Sequence, residues 1–150
     1  MAPHGWVEIL RLPIEVVAAS LAIMPALLLL RAWSSLPEEI PVHFGLSGQP
    51  DRWGGRWQAW LIPLVALVIY GTFSQATGAW KWMLGSQTEL PQIMQPMLLM
   101  RLPIGLLMTY ITWGTNHVAR KEAEALNAAV VWGLILLTLA PPVALAFTQH

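Results

Sequence analysis

Residues 36–53 read Leu36-Pro37-Glu38-Glu39-Ile40-Pro41-Val42-His43-Phe44-Gly45-Leu46-Ser47-Gly48-Gln49-Pro50-Asp51-Arg52-Trp53. Pro37, Pro41 and Pro50 fix φ and argue against a helix through the stretch. Gly45 and Gly48 permit positive φ and close approach of the backbone. Within this stiffened frame lie one imidazole (His43), three carboxylates (Glu38, Glu39, Asp51), a guanidinium (Arg52) and two aromatic rings (Phe44, Trp53). A passive linker would be richer in Ser, Lys and Asn. This composition predicts a structured Pro/Gly-rich loop over residues 34–56, set between two long apolar runs.

Those flanks decide the fold class. Of the 150 residues, 56% are hydrophobic and 11% charged, and the mean hydropathy is +0.56. Soluble domains carry about 25% charged residues, so the composition fits the membrane class. Spanning a bilayer takes roughly 20 mostly apolar residues. Four segments meet that need, at about 12–33, 57–80, 97–118 and 124–147. Nine tryptophans are present, and Trp57, Trp60, Trp80 and Trp82 fall at depths suited to aromatic belts. The expectation is an all-α integral membrane protein: one domain, a four-helix transmembrane bundle, with the loop capping one end.

Composition also excludes partners. Formal net charge is zero, and no basic stripe exists to neutralise phosphates, which argues against nucleic acid. The chain has no cysteine, so disulfides and thiolate metal sites are excluded. Met1 to Arg11 has no basic segment before its apolar run, so the first helix is expected to stay rather than be cleaved. Membrane lipids are implied as neighbours. Four short spans bury little interior, which makes a homo-oligomer or a larger assembly a reasonable expectation.

Prolines recur in the spans (Pro13, Pro25, Pro63, Pro103, Pro141, Pro142) and read as local kinks; hinges lining a cavity are the functional alternative. Arg11-Leu12-Pro13-Ile14 is echoed by Arg101-Leu102-Pro103-Ile104, a weak sign of two duplicated helical hairpins. With four spans, the N-terminus and the loop around Ser86 share one side. The long loop and Arg120-Lys121-Glu122 share the other. Arg31, Arg52, Arg56, Arg120 and Lys121 then oppose Arg11, Lys81 and Arg101. Taken literally, the positive-inside rule sets the long loop in the cytoplasm, by a small margin that leaves orientation open.

Several residues could carry chemistry. His43, Asp51, Glu38 and Glu39 face the same compartment as Asn116, His117 and Glu122. His43, Asp51 and His117 are an acceptable ligand set for Zn²⁺, although no paired-His spacing occurs. The plainer reading has the His43 ring hydrogen-bonded inside a compact loop, to Asp51. Asp51 also suits a helix N-cap, with a helix starting near Trp53 as an interfacial anchor. Among intramembrane polar groups, Glu15 and Arg101 fall toward the same bilayer face. A Glu15–Arg101 or Glu15–Arg11 pair is geometrically possible, but snorkelling to the near interface is the preferred reading, because neither residue is central in its span. No nucleophile elbow, Walker loop, dinucleotide fingerprint or zincin motif occurs, so enzymatic chemistry gains no support.

At the loop the sequence resembles a bacterial and archaeal membrane family of unknown function, with the pattern Leu-Pro-x-x-Ile-Pro-x-His-Phe-x-x-x-Gly-x-Pro-Asp-x-Trp between two transmembrane helices. Leu36, Pro37, Ile40, Pro41, His43, Phe44, Gly48, Pro50, Asp51 and Trp53 match it in order and spacing, with Arg56 filling a basic position a little further on. Relatives of the SdpI type are multi-pass immunity proteins against a secreted toxic peptide; they are longer and can signal to a repressor. The resemblance implies a prokaryotic cytoplasmic-membrane protein acting in immunity or sensing, with a peptide, lipid or protein partner bound through residues 36–53. It transfers no catalytic residue. The binding positions it implies are His43, Phe44, Gly48, Pro50, Asp51, Trp53 and Arg56. Two other readings stand beside it: a metal-dependent membrane enzyme using His43, Asp51 and His117, and a small transporter subunit relying on Glu15 and Arg101.

Overall fold

The computed structural model describes residues 6–78 and 95–148. The chain is mostly helical, with α1 (Trp6–Ala32), α2 (Leu61–Ala76), α3 (Gln95–Ala119) and α4 (Ala128–Thr148). Three helical segments are long and apolar enough to cross a membrane: Leu10–Ser35, Arg56–Ala76 and Pro96–Ala119. The fourth helix holds a shorter apolar stretch, Ala128–Ala144. Trp80, Lys81, Trp82 and Ser86 lie outside the described residues.

Between α1 and α2 the chain is more ordered than a loop. It forms an antiparallel β-hairpin, β1 (Glu39–Phe44) and β2 (Pro50–Gly55), so the fold departs here from an all-α bundle. Ile40 and Pro41 are buried, Val42 and Phe44 partly buried and His43 exposed, so the ribbon lies with its start against the helices. A proline is tolerated because a two-stranded ribbon has only edges. Gly48, at φ +83°, supplies the turn conformation that L-residues resist. Asp51 therefore lies in β2 and caps no helix, and the chain enters α2 through a 3-10 turn at Arg56–Trp60. The fourth helix starts at Ala128 rather than near 124, because the Asn127 side chain accepts the Ala129 N–H at 3.0 Å as an N-cap.

α1 packs against both α2 and α3, while α4 packs on α3. α1 and α3 run parallel, and Gly105 lets them approach: a Cβ there would lie 2.7 Å from the Cβ of Leu21. The contact coincides with a missing backbone hydrogen bond in α1. Pro25 has no N–H for the Leu21 carbonyl four residues back, and Thr109 Oγ1 on α3 reaches that carbonyl at 3.4 Å. α1, α3 and α4 continue through Pro13, Pro25, Pro103, Pro141 and Pro142.

A buried apolar cluster lies at the hairpin end, formed by Leu29, Ala32, Leu36, Ile40, Ala59 and Ala119 and flanked by Trp33 and Val42. The outward faces of the helices expose Leu12, Val16, Leu27, Leu30, Leu64, Val68, Leu136 and Leu139. Such exposure suits lipid contact and would be costly in water.

Candidate functional site: an apolar pocket beneath the hairpin

The hairpin is tied down at both ends. At its base, Arg56 N–H donates to Glu38 O at 2.8 Å. At its tip, Leu126 N–H donates to Gly48 O at 2.9 Å, and Trp132 Nε1 donates to Leu46 O at 3.2 Å. Any Cβ on Gly48 would meet Leu126 O at 2.1 Å, so only glycine lets the tip lie on the α3–α4 turn. The strap runs from the α1–α2 pair to the α3–α4 pair and roofs a cavity of about 330 Å³. Val42, Phe44 and Leu46 form the roof, with Ile62 of α2, Ile111 of α3 and Val131 of α4 as walls. The lining is overwhelmingly apolar, as ligand pockets commonly are.

His43 also borders this cavity. Its Nδ1–H donates to Asp51 Oδ1 at 2.5 Å, with both side chains about half exposed. The register explains the pairing. Pro41 faces Trp53, His43 faces Arg52 and Phe44 faces Pro50, so irregularities bracket His43 on both sides, leaving Val42 and Asp51 as the extra residues. Such bulges re-aim side chains. With Nδ1 committed to Asp51, the second ring nitrogen is held in one orientation, available to a ligand's polar group. Among the described residues no hydroxyl hydrogen-bonds to His43.

The other motif positions divide by role. Phe44 lines the pocket, Gly48 fixes the tip and Pro50 pairs with Phe44. Trp53, half exposed, lies across from Pro41. Arg56 stacks its guanidinium over Trp33, 5.1 Å from the ring centroid, which anchors the hairpin base. His117 is not brought to His43 and Asp51. Its ring contacts Trp113 and Glu122, and among the described residues no group of three His, Asp or Glu side chains is placed to hold a metal ion.

Glu15 and Arg101 are paired and buried rather than snorkelling. Arg101 donates to Glu15 through both terminal nitrogens, at 2.8 and 2.6 Å, with the two side chains 1% and 2% exposed. Arg101 also reaches Ser74 Oγ at 3.2 Å and lies over Tyr70. Arg11 is buried too, and its Nη2 donates to Thr77 O at 2.8 Å, placing a cation on an end carbonyl of α2. The bidentate geometry reads as a structural clamp among three helices.

Leu126 and Trp132, which fix the hairpin tip, belong to no motif in the sequence. The Asn127 N-cap just after Leu126 was the available signal that the chain turns there.

Residues 20–67 match a family described as a domain of unknown function (DUF1648), covering the second half of α1, the hairpin and the start of α2. Over 36 residues, 24% of this chain, it is 47% identical to an uncharacterized protein of Archaeoglobus fulgidus. That match spans only 20% of the archaeal protein's length. No solved structure matches the chain.

Proposed function

We propose that this is a four-span membrane protein and a non-enzymatic binding module, whose hairpin 36–53 receives an amphipathic ligand for immunity or sensing. The 330 Å³ apolar cavity roofed by the motif strand carries this reading. A hydrophobic group of a peptide or lipid enters between α2 and α4, and its polar part meets the His43–Asp51 dyad. The sparse packing of α4 against α1 and α2 leaves the entrance within reach of lipid-borne ligands. The SdpI-type resemblance favours a peptide.

The test is photo-crosslinking of the purified protein with two diazirine probes, a fatty acid and an apolar helical peptide, followed by peptide mapping. Adducts should concentrate on Ile62, Ile111 and Val131. Filling the cavity with Ala128→Phe should remove them. Adducts spread evenly over the lipid-facing helix surfaces, and insensitive to Ala128→Phe, would end this reading.

A further inference from the structure

A second cavity, of about 300 Å³, opens at the hairpin end between α1 and α3, lined by Leu28, Arg31, Trp113, Asn116, His117 and Arg120. Its chemistry differs from that of the first. Two guanidinium groups and an imidazole line it beside Leu28 and the Trp113 ring, whose centroid lies 4.2 Å from that of the His117 ring at a tilt of 38°. The turn after α3 sets the charges. Lys121 adopts φ +60°, Lys121 N–H donates to Val118 O at 3.0 Å and Glu122 N–H donates to His117 O at 2.9 Å, a Schellman ending. It folds Glu122 back to 3.1 Å from Arg120 Nη2 and 3.5 Å from His117 Nε2. Arg120 Nε donates to Asn116 O at 3.2 Å, which steadies the side chain. Glu122 is paired with Arg120, whereas among the described residues Arg31 makes no ion pair, so the cleft is net positive.

We propose that this cleft binds the phosphate of an anionic phospholipid, with Arg31 and Arg120 as its ligands and the acyl chains lying along the exposed Met24 and Leu27 of α1. Arginine forks suit phosphate oxygens, and a basic cleft at helix ends is where a headgroup lies. The mixed lining selects a lipid over a soluble anion, because an apolar floor directly beside two arginines matches the headgroup–acyl boundary. Charge distribution agrees. Among the described residues, Arg11 and Arg101 at the other end are turned into the bundle. Arg31, Arg52, Arg56, Arg120 and Lys121 all remain at the hairpin end, the bias expected beside the anionic cytoplasmic leaflet. This inference rests on the membrane-spanning reading but not on the pocket beneath the hairpin.

Native mass spectrometry of the full chain in detergent tests it, with phosphatidylglycerol and phosphatidylcholine as probes. Phosphatidylglycerol should bind preferentially. Arg31→Gln and Arg120→Gln should each weaken it about fivefold, and Glu122→Gln should tighten it by removing the competing carboxylate. Arg52→Gln, on the hairpin, should change nothing. Equal retention of the two lipids, or an Arg52→Gln loss matching that of Arg31→Gln, overturns the proposal in favour of diffuse surface charge. Displacement of phosphatidylglycerol by millimolar inorganic phosphate overturns the lipid assignment in favour of a free-anion site. If Arg120→Gln does not fold, Arg31→Gln decides alone, since Arg31 is exposed and, among the described residues, makes no hydrogen bond or ion pair.

Discussion

Replacing Gly48 by alanine tests whether the hairpin tip is locked onto the helical turn. Three costs add. An L-residue at φ +83° costs about 1–2 kcal/mol. The new Cβ would come within 2.1 Å of Leu126 O, a backbone atom that cannot rotate away, so the tip must lift. Lifting breaks the Leu126 N–H to Gly48 O bond and the Trp132 to Leu46 O bond, about 1 kcal/mol each. The sum is about 3–4 kcal/mol, which for a chain of this size lowers Tm by on the order of 10 °C. Gly45→Ala is the control: its Cβ would meet Asp51 Oδ2 at 3.5 Å and Gln49 O at 3.8 Å, both ordinary contacts. Thermal unfolding in detergent, combined with hydrogen exchange at the Leu126 amide, reads both effects. A Gly48→Ala protein that melts with Gly45→Ala and keeps its Leu126 protection would refute the docking argument.

Removing the Glu15 carboxylate with Glu15→Ala strands the Arg101 guanidinium in the bundle and should cost about 3–5 kcal/mol; the Glu15→Met/Arg101→Met double variant should melt well above either single change, and additive losses would contradict a paired clamp. His43→Ala and Asp51→Asn alter a half-exposed pair, so each should cost no more than about 1 kcal/mol of stability while weakening capture of the amphipathic probe. A large drop in melting temperature with capture intact would make the dyad structural. Lys121→Gly relieves the left-handed strain at φ +60° and should stabilise by about 1 kcal/mol, seen as a small rise in Tm; a fall would show that the lysine side chain contributes more than its backbone conformation costs.

The helices were legible because lipid-facing segments must be apolar around most of their circumference, as residues 12–33 are. Sequence depth placed Glu15 and Arg101 at similar levels but said nothing about rotation. Whether they face lipid or each other depends on how α1 and α3 turn, and that is set by Gly105 against Leu21, a contact between distant segments. The hairpin was hidden by its prolines. Pro41 and Pro50 argue against strands in a large sheet, and only a two-stranded ribbon accepts both. Pro50-Asp51 imitates a helix start, whereas the bulge at Asp51 turns its carboxylate to His43 instead. The His43–Asp51 bond itself was readable, since two polar groups within one tight loop have few other partners.

The buried Glu15–Arg101 bond bears on how such a chain is made. On the membrane-spanning reading, segments enter a bilayer during synthesis in order, and an unpaired charge costs about 2.5–3.5 kcal/mol at a helix centre on insertion scales and less toward an end. α1 emerges carrying Glu15 well before its partner is translated, 86 residues later. Lateral release of α1 into lipid alone is therefore disfavoured until α3 arrives, and the two helices should leave the insertion machinery as a unit.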